Sequence, residues 1–313
     1  MDGTRRAFLG GAAALLASPH VRAAAPEERE LERARSAYNE VVITQAGSVR
    51  TMYFVQNGRW LIESRIDLDD PTALDLDVFR TMSAGLLVQP APKRILMVGV
   101  GGGQLSNYLF ARLPGVEIDA VDIDPEVVRL ARAYFEIPDD PRYRTHVGDG
   151  RLFVEQSAAA DVDMLILDAF RGTSVPFHLR TRSFYEACRR RLRPGGVVVA
   201  NLHNRADRYA DDRATFAAVF AHDYGFVSER EYETTLVCSA DEAPVSVYAI
   251  RRNAASLRET FGPHLPRLAA RLHLRPDVAL GTVLEDDFAA DDTSRADGVK
   301  RHNESCRPTC DRD

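Results

Sequence analysis

The chain has 313 residues, 45% of them hydrophobic, and a formal net charge of −6 at pH 7. This length and apolar content fit one large domain with a small unit attached, or two modest domains. Acidic and basic residues are mixed without a basic stripe, which excludes a typical nucleic-acid-binding protein. Four scattered cysteines are too few for a disulfide framework.

Residues 1–23 resemble a twin-arginine export signal. Arg5 and Arg6 precede a short, weakly apolar run, and small residues around Ala23 resemble a cleavage site. The run is too short to span a bilayer, so we expect no stable membrane anchor. The alternative is an ordinary amphipathic N-terminal helix. A functional signal predicts a periplasmic or otherwise exported protein, and its absence predicts a cytoplasmic one.

Residues 24–90 are predicted to form a small antiparallel β unit followed by a helix. The charged segment 26–37 is helix-permissive and is interpreted as a surface lead-in. Three β-branched or aromatic runs follow over about 38–66, where Asn57-Gly58 is a strong hairpin signal. A helix is predicted over about 73–88. The strands alternate imperfectly, so one face is expected to pack on another domain or on a second copy in a homodimer.

Residues 91–285 alternate apolar strand runs with helical segments. The predicted strands are 94–99, 116–122, 143–147, 162–168 and 196–202, and the predicted helices are 104–113, 125–135, 150–157, 181–192 and 206–222. This alternation predicts an α/β fold with a Rossmann-like, mostly parallel sheet covered by helices on both faces. Two or three later strands are predicted within 226–233, 235–239 and 245–251. Residues 286–313 are polar and are predicted to be disordered.

The segment 93–124 has the pattern strand, glycine turn, helix and strand, which is half of a nucleotide-binding βαβ unit. Its turn contains Gly99, Gly101 and Gly103, which let the backbone approach a ligand closely. Gln104 takes the place of the third glycine of the dinucleotide motif. The turn therefore favours a transferase of the S-adenosylmethionine type over an NAD(P) oxidoreductase.

Four aspartates follow the predicted strands of this domain. Asp122 ends the second strand, where a carboxylate can accept hydrogen bonds from both ribose hydroxyls. Asp124 is followed by proline and is predicted to cap a helix. Asp149, followed by Gly150, can reach an adenine amino group or cap the next helix, and spacing leaves both open. Asp168 ends the fourth strand, at the edge where ligands lie, and is the candidate catalytic residue.

Other polar residues carry weaker signals. His203 and Asn204 follow the fifth strand and are candidates for the lining of the same cleft. His302, Cys306 and Cys310 have the residue types of a metal site. They lie in a polar tail without a supporting shell of further contacts, so no metal site is expected.

Several segments, in order from about residue 36 to residue 204, resemble the spermidine synthase (polyamine aminopropyltransferase) family. The matching residues are Ser36-Ala37-Tyr38, Pro92–Leu96, Val121–Asp124, Asp140-Pro141-Arg142, Gly148–Gly150, Asp168, Phe184-Tyr185 and Gly195–Val198. The resemblance implies a small β domain on a Rossmann-like domain of the class I methyltransferase type, commonly dimeric. It implies S-adenosylmethionine or its decarboxylated form as co-substrate and a small amine as acceptor. Asp122 would hold the ribose and Asp149 the adenine, and Asp168 would stand where the amine is deprotonated.

Four positions depart from the family pattern. Gly102 stands where the family has an acid associated with the donor's aminopropyl amine, and Arg171 stands where its loop has a second acid. Phe79 replaces a tyrosine, and Asn39 stands where Tyr-Gln is usual. An arginine in the pocket repels a dicationic polyamine. These departures shift weight towards methyl transfer or an anionic acceptor. The export signal leaves open a nucleoside-binding or catalytically degenerate family member.

Overall fold

The computed structural model describes residues 26–156, 159–170, 175–204, 206, 208–230, 233–274 and 281–286. The predictions for the export signal, for Arg171 and for the tail with His302, Cys306 and Cys310 lie outside these ranges. Within the ranges described, no helix is both long enough and apolar enough to cross a membrane.

The N-terminal strands form a four-stranded antiparallel sheet in chain order. They are β1 (Arg29–Arg35), β2 (Glu40–Ala46), β3 (Val49–Gln56) and β4 (Arg59–Asp67). The three predicted strands are confirmed, but the helix-permissive interpretation of residues 26–37 is wrong because β1 lies there. β1 is an edge strand that pairs only with β2 within this sheet. Its charged side chains stay at the surface, which is typical of edge strands.

The larger part of the chain forms an eight-stranded sheet. Its strands are β5 (Arg94–Val98), β6 (Glu117–Asp122), β7 (Tyr143–Val147), β8 (Val162–Leu167), β9 (Leu192–His203), β10 (His222–Val227), β11 (Glu233–Ser239) and β12 (Leu272–Leu274). Their order is β12-β10-β11-β9-β8-β5-β6-β7. Strands β5 to β9 are parallel, and the other three are antiparallel to their neighbours. The predicted mostly parallel Rossmann-like sheet with a preceding antiparallel β unit is confirmed.

The strand order reverses between β5 and β8. From β5 the chain adds β6 and β7 on one side, and it then crosses to place β8 on the other side. Ligands of open α/β sheets bind in the crevice that such a reversal leaves at the carboxyl ends of the strands. The fold therefore places the candidate site where β5 and β8 end.

The described helices surround this sheet. They are α1 (Asp77–Met82), α2 (Gly85–Val88), α3 (Gln104–Arg112), α4 (Pro125–Tyr134), α5 (Gly150–Glu155), α6 (Arg182–Arg191), α7 (Tyr209–Val219), α8 (Val247–Ser256), α9 (Arg258–Phe261) and α10 (His264–Ala270). The single helix predicted over 73–88 is wrong, since turns such as Ala73 N–H to Asp70 O (3.0 Å) delay its start and it forms two short helices. The strand predicted over 245–251 is also wrong. Ser246 caps α8 there by accepting a hydrogen bond from the Ala249 N–H (3.1 Å).

Apolar layers cover both faces of the large sheet, as predicted. In β5, Ile95 and Met97 contact one layer, whereas Leu96 and Val98 contact the other. Helices α1 and α2 pack into the first of these layers. A third cluster joins β2, β3 and β4 to α4 and to Phe135. The antiparallel sheet is thereby packed on the helix that follows β6, close to the candidate site. The domain limits given above stay a prediction.

Candidate functional site

The glycine turn joins β5 to α3 at the carboxyl edge of the sheet. Gly99, Gly101 and Gly103 have φ angles of 95°, 50° and 72°, in the left-handed region that favours glycine. A Cβ atom on Gly99 would clash with the carbonyl oxygen of Asp168. Glycine at this position therefore lets the turn lie directly against the end of β8.

Asp122 ends β6 and holds the glycine turn. Its Oδ2 accepts a hydrogen bond from the Val100 N–H (2.9 Å), and its Oδ1 accepts one from the Asp124 N–H (2.9 Å). Burial raises the pKa of Asp122, while these backbone donors act in the opposite direction. A carboxylate has about four lone-pair positions, so each oxygen can still accept a bond from a ligand hydroxyl.

Asp124 begins α4 and has the structural role predicted for it. Its Oδ1 accepts a hydrogen bond from the Glu126 N–H (2.9 Å), and Pro125 is the first helical residue. Its Oδ2 accepts bonds from the Ser36 hydroxyl (2.7 Å) and the Asn39 amide (3.1 Å). The predicted helix cap is confirmed, and the same carboxylate connects the N-terminal sheet to the large one.

Asp149 caps α5 and also faces a histidine. Its Oδ1 accepts a hydrogen bond from the Leu152 N–H (3.0 Å), and its Oδ2 lies 3.2 Å from Nε2 of His178. Burial acts to raise the pKa of Asp149, but His178 and the backbone donors outweigh it and lower the pKa. Of the two interpretations left open, the cap is confirmed and the adenine contact stays a prediction. Gly150 begins α5, where a side chain would clash with β5.

Asp168 follows β8 and lies beside the glycine turn. Its N–H donates to the Val98 carbonyl (2.9 Å), and its Oδ1 accepts a hydrogen bond from the Asn201 amide (3.3 Å). Burial raises the pKa of Asp168 to about 6; the Asn201 bond opposes this rise and the charge of Glu233 adds to it. A carboxylate with a pKa close to the working pH is suited to accept a proton from a reacting group.

Glu63 in β4 is a site residue that the sequence did not identify. The neighbouring Ser64 accepts a hydrogen bond from the Gly102 N–H (2.8 Å). A Cβ atom on Gly101 would lie 3.5 Å from Oε1 of Glu63, so this carboxyl lies at the glycine turn. Burial raises the pKa of Glu63 to about 8, and the negative charges of Asp168 and Asp122 act in the same direction. The signal in the sequence was an acid in a strand expected to pack on another domain.

The end of β9 lies at the same edge of the sheet. His203 is its last residue and pairs in register with Glu233 of β11, whose pKa is raised by burial. The Asn204 Oδ1 accepts a hydrogen bond from the Thr234 hydroxyl (2.6 Å). Both sequence candidates therefore lie at the carboxyl edge, where Asn204 bonds to β11.

Comparison with known proteins identifies the family. Residues 81–248, just over half of the chain, match the spermine/spermidine synthase domain. A polyamine aminopropyltransferase from Chromobacterium violaceum is 31% identical over 262 residues, which cover 83% of this chain and 99% of that protein. The chain belongs to the spermine/spermidine synthase family. It is accordingly a transferase, as its sequence predicts.

Two further similarities concern the reaction and the fold. Putrescine N-methyltransferase 1 from Nicotiana tabacum is 38% identical over 194 residues, or 56% of this chain and 51% of that protein. The crystal structure of a probable spermidine synthase from Corynebacterium glutamicum has a TM-score of 0.67 at 23% identity and covers 83% of this chain and 98% of its own. The second similarity shows the shared fold. The similarity to the Nicotiana tabacum protein shows that the relatives of this chain include a protein named as a methyltransferase.

Packing explains why this family member has glycine at position 102. A Cβ atom on Gly102 would lie 2.6 Å from Cδ1 of Phe135 and 2.7 Å from Cβ of Ser64. Both distances are far below van der Waals contact, and Phe135 is fully buried. The acid that the family usually has in this turn therefore does not fit here.

Replacing Gly102 by alanine should lower the free energy of unfolding by about 1–3 kcal/mol, the usual cost of overpacking a filled core. Gly148→Ala is the control, because a Cβ atom there would have Val121 as its nearest neighbour at 4.0 Å. Urea unfolding of the two variants measures the difference. Equal stabilities would contradict the packing argument.

Proposed function

We propose that this transferase moves an aminopropyl group from decarboxylated S-adenosylmethionine to a small primary amine. The observation that carries the proposal is Asp168, whose backbone lies against the glycine turn at Gly99 and whose buried carboxyl group has its pKa raised to about 6. Family membership supports the class of reaction. The further carboxyl groups of Glu63 and Glu233 give this edge of the sheet an acidic character that suits a cationic acceptor.

The adenosyl part of the donor is proposed to lie along the carboxyl edge from β5 to β7. The glycine turn, residues 99–103, would allow close approach of the donor to the backbone. Asp122 would bind the ribose hydroxyls, and Asp149 with Gly150 would lie at the adenine. The fixed orientation of Asp122 and Asp149 by backbone N–H groups supports these roles, because both carboxylates are held in place before a ligand binds.

In the proposed step, the acceptor nitrogen forms a bond to the aminopropyl carbon while the bond from that carbon to sulfur breaks. The electron pair of the broken bond stays on sulfur, so the positive sulfonium becomes the neutral thioether of 5′-methylthioadenosine. Asp168 takes the proton that the acceptor nitrogen loses. Most of the rate gain would come from holding the two reactants in line, which can lower a barrier by about 7–11 kcal/mol.

Methyl transfer from S-adenosylmethionine to a similar amine is the second candidate. It is favoured by Gly102, which leaves the turn without the family acid, and by the similarity to a putrescine N-methyltransferase. A nucleoside-binding protein without catalysis is the third reading of the same site. All three proposals share the adenosyl pocket and differ in the group that moves.

Thermal unfolding with different ligands tests the shared pocket. 5′-Methylthioadenosine should raise the melting temperature, because a ligand at 100 times its Kd stabilises the native state by about 2.7 kcal/mol. NADH should leave the melting temperature unchanged, and stabilisation by NADH alone would overturn the adenosyl site.

Mass spectrometry of the products separates the three proposals. Putrescine and decarboxylated donor should give an aminopropylated amine. A methylated amine formed from S-adenosylmethionine would favour the second candidate, and ligand binding without either product would favour the third.

We also propose that the protein is exported by the twin-arginine route. The described strands begin at Arg29, so removal of residues 1–23 would leave all of them in the mature protein. Cell fractionation together with sequencing of the mature N-terminus tests this. A full-length cytoplasmic protein would contradict export.

A homodimer through the N-terminal sheet is proposed as well. Trp60 and Ile62 of β4 are 45% and 46% exposed, and their spacing puts them on one face of the strand. Light scattering on the purified protein should give the mass of a dimer, and replacing both side chains by serine should give a monomer.

A further inference from the structure

We infer that Glu63 supplies, from β4, the acid that the glycine turn lacks, and that it binds the donor's ammonium group and selects the decarboxylated donor over S-adenosylmethionine. This inference rests on the function proposed above. It names the residue that decides between the two donors.

Side chains from other parts of the chain fill the space beside Gly102, where the family usually has an acidic side chain. Ser64 and Phe135 occupy the space where a side chain on Gly102 would project, and Ser64 also accepts the Gly102 N–H. β4 is therefore fixed on the glycine turn, and the residue before Ser64 in the chain is Glu63. The turn has glycine at position 102, and the carboxyl group of Glu63 lies at the same turn, 3.5 Å from a Cβ position on Gly101.

A β-bulge brings the Glu63 side chain to the turn. Ser64 pairs with Met52 and Ile62 pairs with Tyr53, so Glu63 is the extra residue between two consecutive pairs. In a regular strand, neighbouring side chains point to opposite faces, and Ser64 at the turn would direct Glu63 away from it. A bulge changes this alternation, and bulges are common beside active sites, where they redirect a side chain. Here both Ser64 Oγ and Glu63 Oε1 lie within 3.5 Å of a Cβ position on Gly101.

The Glu63 carboxyl group lies near two other carboxyl groups and is not paired with a group of opposite charge in the described part of the chain. Among the residues that the structure describes, its carboxyl has no hydrogen-bond or ion-pair partner, and the nearby charges of Asp168 and Asp122 are of the same sign. Burial and these charges raise the pKa of Glu63 to about 8. A bound ammonium group would reverse this effect, because an opposite charge favours the ionised carboxyl.

A buried acceptor beside Asp168 supports a ligand with N–H donors. Asn201 is 7% exposed, and its amide nitrogen donates to Asp168. Its Oδ1 has no hydrogen-bond partner in the described part of the chain. Buried polar atoms are normally hydrogen-bonded, so this oxygen is suited to an N–H group that a substrate brings.

These groups discriminate between the two donors by charge. Decarboxylated S-adenosylmethionine carries an ammonium and a sulfonium group and no carboxylate. S-Adenosylmethionine adds a carboxylate beside its ammonium group, and that carboxylate would meet Glu63 and Asp168. Juxtaposed like charges weaken binding and suppress the wrong partner.

Calorimetric titration of Glu63→Gln with decarboxylated donor, S-adenosylmethionine and 5′-methylthioadenosine tests the inference. The variant should bind decarboxylated donor about tenfold or more weakly, which is about 1.4 kcal/mol or more. Its affinity for 5′-methylthioadenosine, which lacks the aminopropyl chain, should stay within about twofold, or about 0.4 kcal/mol. Glu117→Gln is the control, since Glu117 begins β6 at the opposite edge of the sheet and pairs with Arg144 (3.1 Å).

A second measurement needs no variant. Glu63 with a pKa near 8 is largely protonated at pH 7, and binding of an ammonium group should release that proton. The binding enthalpy of decarboxylated donor should then depend on the ionisation enthalpy of the buffer, whereas that of 5′-methylthioadenosine should not.

Unchanged affinity of Glu63→Gln for the decarboxylated donor would overturn the inference, as would an equal loss for all three ligands. Failure of the wild-type protein to bind 5′-methylthioadenosine would instead overturn the proposed adenosyl site, so the two failures are distinguishable.

Discussion

Replacing Asp168 by asparagine is expected to lower kcat by about 10²- to 10⁴-fold, the usual contribution of a positioned general base. Asparagine keeps the shape of the side chain, and its oxygen can still accept the Asn201 amide bond. It cannot accept a proton from the acceptor amine. Initial rates at saturating substrates measure the loss, and titration with 5′-methylthioadenosine should show unchanged donor binding.

The pH dependence of the wild-type protein gives an independent test of Asp168. Because the base must be ionised, kcat should rise with pH and level off above the pKa of Asp168, about 6. Asp75→Asn is the control, since Asp75 is exposed and pairs with Arg65 (3.2 Å). A variant at position 168 with wild-type kcat, or with the same inflection near pH 6, would exclude this residue as the base.

The Asp168→Asn substitution is also expected to stabilise the fold at neutral pH. The pKa of Asp168 is raised in the native state from 3.8 to about 6, so the native state binds more protons than the unfolded state between these values. Its contribution to the free energy of unfolding therefore falls as pH rises through this window and stays unfavourable above it. Asp168→Asn should melt at a higher temperature than the wild type at pH 7 and at the same temperature at pH 3.

Replacing Asp122 by alanine should weaken donor binding by about 10- to 150-fold, since a hydrogen bond to a charged group is worth about 1.5–3 kcal/mol. The substitution removes the carboxylate that is proposed to accept hydrogen bonds from the ribose hydroxyls. It also leaves the N–H groups of Val100 and Asp124 without their acceptor, which should cost about 1–3 kcal/mol of stability. Calorimetric titration with 5′-methylthioadenosine and urea unfolding measure the two effects.

Asp163→Ala is a matched control for this variant. Asp163 also accepts two backbone N–H groups, from Lys93 and Arg94 (2.8 Å each), but it lies where β5 and β8 begin. The Asp163→Ala variant should lose about as much stability as Asp122→Ala and should keep the wild-type affinity for the donor. If both variants lost affinity equally, the effect of Asp122 would be structural and the ribose assignment would be contradicted.

The strands of the large sheet were predictable because their signals are local. β5, β8 and the second half of β9 are largely apolar runs bounded by glycine, proline or acidic residues, so two local signals agree on where each strand lies. β1 was missed because its sequence, RELERAR, is charged and favours a helix in isolation. Its pairing with β2 overrides that preference, and such pairing is not visible in a seven-residue window. The helix that replaced the strand predicted over 245–251 depends on one capping serine, Ser246.

The site was predictable where its residues follow strands. Asp122, Asp149 and Asp168 each come directly after a strand, or at its end, and parallel strands bring their ends to one edge. Glu63 could not be found in this way, because it reaches the edge from the other sheet and through a bulge. His178 was missed for a related reason, since only the folded chain places it beside Asp149.

The packing of Gly102 affects how this protein can evolve. A single substitution cannot restore an acid to the glycine turn, because Phe135 and Ser64 would first have to become smaller or move. Phe135 is fully buried, and truncating such a side chain costs about 3–5 kcal/mol. Variants with a truncated Phe135, which would precede an acid at position 102, are therefore expected to be unstable. Selection on donor choice would act instead on β4, where Glu63 can change without truncating Phe135.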